Sequence, residues 1–492
     1  MIIDFIYSIS ARCFSVIEKS KVWGLFLKFY AIVASWWEKG CIMGFAKTNR
    51  VFGRESIAYK VFTSPFTFLN WLNAKISPAL CKLAERSGIV RLLMNPIVGV
   101  FAVVILAPFL PTMVVAGLCI FTGFMLVVKY ACTPGFKWKA TGVGALLMAW
   151  LVIMLISCFF SYARGNSLKV YAMYFVFVGF FFVAINSIDT KDQLLWLCKA
   201  FVWASLAVAL YGIAQYVFGW TTENAWIDET MFEEDTMRVY STLGNPNVLG
   251  EYLLLAIPLS AIFMVYYKKD TIAKWFYGAS FIVLIGCLVL TQSRGCWLGF
   301  FLAAIIFVCF YNGKLWAAAI ALLALVPFLI PQSILDRLLS VGNMDDTSTS
   351  YRVFIWMGVF KMLRRHLLGG IGMGEEAFGE IYQHYSYNTI IAPHSHNTFL
   401  QITVESGIVS LIVFVAAMAL VLRLLYMVYH KVDKTSFSGI SSLCFGAGLT
   451  GFLLQSLFDY TFYNYRVLAI FFVYIAMAVS LYLIEHKEEE VL

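Results

Sequence analysis

From Asn95 onward the chain is a succession of apolar runs of roughly twenty residues, each the length a helix needs to cross about 30 Å of hydrocarbon. Twelve candidate spans can be marked out: 95–109, 112–130, 139–161, 168–187, 193–218, 246–267, 274–292, 295–311, 314–332, 398–429, 436–458 and 463–484. Pro108 and Pro111 leave the first pair open, as a tight turn between two short helices or as a kink within one long segment. One water-soluble core is excluded, because 61% of the 492 residues are hydrophobic and only 13% are charged. The expected fold class is all-α, a polytopic transmembrane helical bundle.

Charge gives that bundle a direction, since Lys and Arg concentrate in cytoplasmic loops. Placing both termini inside puts "KYACTPGFKWK", "SIDTKDQ", "KKDTIAK", "YNGK" and "HKVDK" on the cytoplasmic face, and most of them carry lysine. The net charge of +8 thus reads as topology and not as a nucleic-acid partner. The 17% aromatic content suits contact with membrane lipids. Eleven scattered cysteines with no C-x-x-C read as small packing residues. Residues 1–94 mix basic and aromatic side chains at intervals too short for a span, and read as interfacial amphipathic helices. Asp4, Arg12 and Lys19 interrupt any signal-peptide core there. The transmembrane domain is then residues 95–492.

The opposite face receives the "SYARGNS" turn, residues 219–245, "TQSRG", a long loop at 333–397 with amphipathic helices, and "FDYTFYNYR". The chemically interesting residues collect on this one side. A transporter would need a site exposed alternately to both compartments and built at mid-depth, so a lipid-linked sugar flippase stands as the rival reading and an enzyme as the favoured one.

Three arginines lie on that face: Arg238 before a span, Arg294 in a tight turn, and Arg352 at the head of an outer helix. Guanidinium groups fork onto phosphate oxygens. Each also has a plainer role: Arg238 could pair with Glu233, Glu234 or Asp235, Arg294 could snorkel, and Arg352 could hold surface phospholipid. In "GNPN", Asn245 can cap a helix with Pro246 in its first turn, and amide groups there, with Asn247, could also hold an anion. His394 and His396 sit at the start of an apolar run, where a positive helix end favours neutral imidazole able to take a proton. They could equally be interfacial histidines with Asn397 as cap. A metal reading is weaker, because H-x-H supplies two ligands and a third would have to come from Glu375, Glu376 or His384. Glu405 could pair with an arginine or close a structural network. Asp459 and Arg466 bracket the last outer turn, where orienting His396 and neutralising one another both remain open.

The ordered set of an arginine before G-N-P-N, then S-R-G-x-W-L-G, then an arginine helix followed by "LLGGIGMGEEAF", then H-N and nine residues before Gly407, resembles the O-antigen ligase and Wzy-type polymerase superfamily of bacterial surface-polysaccharide enzymes. The resemblance covers roughly residues 100–485. It implies a GT-C-like glycosyltransferase of the bacterial cytoplasmic membrane that moves a glycan from undecaprenyl pyrophosphate to a glycolipid or cell-wall glycan acceptor on the outer face. Ligase and polymerase share such a site and differ in acceptor; the His-Asn-x9-Gly spacing favours ligase. In that reading Arg294, Arg352 and Arg238 grip the pyrophosphate without a cofactor or metal. His396 takes the acceptor proton in an inverting displacement.

Overall fold

The computed structural model describes residues 57–220, 238–267, 270–312, 347–387 and 389–486. Among them every regular element is helical, and ten helices are long and apolar enough to cross a membrane. Contacts divide the chain into two units, residues 1–65 with 304–339 and residues 66–303 with 340–492. The first is described only at 57–65 and 304–312, which are ends of longer helices; everything below concerns the second.

In chain order the helices are α1 (Ile57–Arg86), α2 (Gly88–Leu93), α3 (Ile97–Leu106), α4 (Thr112–Cys132), α5 (Gly142–Phe159), α6 (Arg164–Ile185), α7 (Lys191–Phe218), α8 (Pro246–Tyr266), α9 (Thr271–Leu290), α10 (Arg294–Tyr311), α11 (Thr347–His366), α12 (Glu375–Tyr382), α13 (Thr398–Ser406), α14 (Ile408–Lys431), α15 (Phe437–Gln455) and α16 (Tyr465–Glu485). Local chemistry starts many of them. Thr190 and Gln193 form a reciprocal capping box at α7, and Asn245, Ser436 and Asn464 cap α8, α15 and α16 with their side-chain oxygens.

Two expectations change. The run 95–109 forms only a ten-residue helix, α3, about 15 Å long and too short to cross, and a turn at 107–111 then leads into the full-length α4. The run 398–429 is not one helix: it breaks at Gly407, where φ is +86° and a Cβ would strike the carbonyl of Leu368. The candidate span 314–332 and residues 1–56 lie outside the described residues.

The central helices are α8, α15 and α16, buried along most of their length, with α8 packed on α7, α9 and α15. Gly299 of α10 faces Gly451 of α15 so closely that a Cβ on either would meet the other's carbonyl oxygen, the small-residue contact by which helices approach in lipid. Loops expected on one face do meet one another. Lys129 and Lys139 both reach Asp189, at 2.9 and 2.8 Å, and Lys191 reaches Glu485 at 3.0 Å. Asn73 of α1 joins this end through Tyr130 O at 2.6 Å. At the other end Ser167 bonds Met373 O at 2.7 Å, and Arg466 Nη1 and Nη2 donate to the carbonyls of Thr242 and Leu243 at 2.9 and 3.0 Å.

Candidate active site

The histidine pair is positioned by the start of α13. Asn397 caps this helix by accepting the Leu400 N–H at 3.0 Å, and its own amide donates to Leu457 O at 2.9 Å. Thr398 adds two bonds to the same turn, N–H to Ser456 O at 2.8 Å and hydroxyl to Asp459 O at 3.0 Å. The cap therefore fastens α13 to the loop between α15 and α16. Asp459 is delivered beside His396 as a result.

His396 itself is left-handed, with φ +47°, a conformation that costs an L-residue on the order of 1–3 kcal/mol unless its surroundings enforce it. They do. Its N–H donates to His394 Nδ1 at 3.3 Å; Ser395 N–H donates to Gln401 Oε1 at 2.8 Å; Trp356 Nε1 of α11 donates to Ser395 O at 3.0 Å. The strain aims the imidazole at Asp459, placing His396 Nδ1 3.2 Å from Asp459 Oδ1.

Asp459 is fully engaged. Oδ1 also accepts the Tyr460 N–H at 2.8 Å, and Oδ2 accepts Asn247 Nδ2 at 2.8 Å. Burial alone would raise its pKa, but the His396 hydrogen bond and the charges of His396 and Arg352 outweigh burial and hold the carboxyl well below the usual range. An ionised carboxylate only accepts, so whenever His396 is neutral its proton sits on Nδ1 and Nε2 keeps a lone pair. His394, almost wholly enclosed, is pushed down to about 3, by burial first and then by His396, and stays neutral.

The arginines are placed around this pair. Arg238 Nη2 donates to Asn247 Oδ1 at 3.1 Å and Nε to Thr291 O at 3.1 Å, so a guanidinium, an amide and Asp459 form one chain. Arg352 is close enough to act electrostatically on both Asp459 and His394. Arg294, half-buried, opens α10 three residues beyond Thr291. Arg466 is committed to the two carbonyls named above, and Asp459 pairs with His396 instead. Asn245 accepts from Asn247 and Val248 as a cap, and Glu233, Glu234 and Asp235 lie outside the described residues.

The third group brought to the histidines is Asp459, not Glu375, Glu376 or His384. His394, His396 and Asp459 offer ligand atoms within 4.8 Å of one another. Both Asp459 oxygens and both Nδ1 atoms already hold protein hydrogen bonds, so these groups are satisfied as an acid–imidazole array.

Beside His394 opens a cavity of about 610 Å³, lined by residues that include Asn166, Glu375, Tyr460, Tyr463 and Tyr465. Glu405 forms part of its wall, accepting Gln401 Nε2 and the Gly374 N–H at 3.0 Å each. Burial raises the Glu405 carboxyl to about 7, against those two hydrogen bonds.

Residues 279–415 match the family described as O-Antigen ligase. The matched stretch holds Arg294, Arg352, His394, His396, Asn397 and Glu405. That stretch, with its arginines and histidine pair, is similar to the O-antigen ligase family. It is also 25% identical over 323 residues to "Putative polysaccharide ligase RC0486" of Rickettsia conorii (strain ATCC VR-613 / Malish 7), covering 62% of this chain and 72% of that protein. The chain is thus a multi-pass helical membrane protein with a stretch similar to the O-antigen ligase family.

Several residues of the candidate site escaped the sequence. Gln401 and Tyr460 look like ordinary residues of an apolar run and a turn. Glu251, in the second turn of α8, is a buried carboxyl group that accepts Gln455 Nε2 at 3.4 Å. Its spacing from Asn245 and Asn247 was the available signal.

Proposed function

We propose that the protein transfers a glycan from undecaprenyl pyrophosphate to a glycolipid or wall-glycan acceptor on the outer face of the bacterial cytoplasmic membrane. The observation that carries this reading is the His396–Asp459 pair, with its free Nε2 and with Arg238 and Arg352 disposed about it.

His396 Nε2 accepts the acceptor hydroxyl proton as that oxygen attacks the anomeric carbon. The new C–O bond forms while the sugar–pyrophosphate C–O bond breaks, and its electron pair leaves with the pyrophosphate. Configuration inverts. Asp459 keeps the imidazole in the working tautomer and stabilises the imidazolium. The leaving group gathers negative charge, and arginines aimed at it act without reorganisation. Asn247 ties Asp459 to Arg238, coupling base and clamp.

General-base catalysis contributes about 10²–10⁴-fold, which sets the size of the test. In proteoliposomes given a defined undecaprenyl-pyrophosphate glycan and an acceptor panel, His396→Ala should lose transfer by at least that much while the bundle still folds. Transfer at the parent rate would remove the base assignment. A product grown by donor repeats alone would make the activity a polymerase.

A further inference from the structure

Resting on that reading, we propose that the cavity beside His394 is an acceptor subsite: it holds the saccharide ring whose hydroxyl attacks, and the pyrophosphate lies across the histidines on the arginine side.

The histidine pair joins two chemically different surroundings. His396 faces Tyr351 of α11, with ring centres 5.9 Å apart, and connects through Asp459 and Asn247 to Arg238. His394, whose ring centre is 4.3 Å from that of His396, turns instead to Tyr460 and Tyr463, at 5.4 and 5.1 Å. An inverting displacement needs nucleophile and leaving group on opposite sides of the anomeric carbon. His394 lines the cavity while the adjoining His396 connects to the cations, so the pair stands between the two surroundings.

The lining suits a sugar. A pyranose has an apolar C–H face and a rim of hydroxyls, so aromatic faces beside amides and carboxylates are its complement. Tyr460, Tyr463 and Tyr465 supply the rings, and Tyr463, which lines the cavity, is 54% exposed overall. The Asn166 amide and the Glu375 carboxylate face this space with no protein hydrogen bond among the described residues. A pyrophosphate fits poorly here. It would meet Glu375 and Glu405, and the guanidinium in this wall, Arg466, has Nη1 and Nη2 turned to main-chain carbonyls. At about 610 Å³ the cavity has the size of an ordinary small-ligand site, about 300–1,000 Å³.

Saturation-transfer NMR tests this on the full chain in phosphatidylethanolamine/phosphatidylglycerol nanodiscs, which avoid sugar-headed detergents. The probes are the methyl glycosides of glucose, galactose and N-acetylglucosamine. At least one should receive saturation from the protein. The signal should fall about five-fold in Tyr463→Ala, persist in Tyr463→Phe and Arg352→Ala, and withstand added inorganic pyrophosphate. Absence of signal from all three glycosides, an unchanged signal in Tyr463→Ala, or displacement by pyrophosphate would overturn the subsite. The two readings fail separately: transfer that depends on His396 without glycoside binding removes only the subsite, and glycoside binding without His396-dependent transfer removes the function and leaves the subsite standing.

Discussion

Two polar clusters lie on this helical bundle, and they are built on different principles. Around Asp189, two lysines and the carbonyls of Ile185 and Ile188 share one another's charges, and the Asp189 side chain is 44% exposed. Nothing there is strained or left over. Around Asp459 the carboxylate is buried, the partner is a histidine in a left-handed conformation, and one imidazole nitrogen has no role in holding the fold. A cluster that only fixes topology can remain wet and relaxed, because exposed ion pairs are cheap to form. Burying a carboxylate against a strained imidazole costs stability, and such cost concentrates where chemistry is done.

That contrast can be broken in three ways, in descending size. Asp459→Asn removes the charge that holds the His396 tautomer and should slow transfer by roughly 10²–10⁴-fold in the reconstituted assay, with little change in acceptor binding. An effect within two- to threefold would return Asp459 to the structural class.

Glu405→Gln comes next and acts on stability. Glu405 titrates near 7 in the fold and near 4.5 when unfolded, so the native state holds the extra proton between those values. Stability from this group is therefore complete below about 4.5 and is lost as pH rises through about 7. Glutamine can still accept from Gln401 and Gly374 while never ionising. The variant should unfold at an equal or higher temperature than the parent at pH 9, by up to about 3 kcal/mol, and the two should converge in acid. A thermal-shift series across pH checks the sign.

Lys139→Ala is the smallest. It should cost about 1 kcal/mol or less, since Lys129 still pairs with Asp189, and it should leave transfer unchanged. Loss of transfer would mean that the two clusters are not separate in function.

Much of the fold was legible because a helix that crosses lipid must be apolar over a fixed length, a local property. The break at Gly407 was not. Apolar residues lie on both sides of it, and the turn exists because residues 367–372 arrive to pair with it: Ile408 N–H donates to Leu367 O at 2.8 Å, and Ile371 N–H to Val404 O at 2.9 Å. Within the site, Asn245 and Asn397 were legible as caps because a cap acts within three residues of itself. The partner of Asp459 was left open between His396 and Arg466, since both lie near the same surface and only packing of α13 on the α15–α16 loop chooses. Gln401, which holds Ser395, has no signature in a single chain; its role depends on a backbone amide six residues earlier folding back over the helix start.

The account stands on Asp459 acting through His396, and a double-mutant cycle measures that directly. Transfer rates of His396→Ala, Asp459→Ala and the double variant should show the pair behaving as one unit, the double variant no slower than His396→Ala alone. If the two losses multiply, the carboxylate and the imidazole work independently and the coupled base described here does not exist.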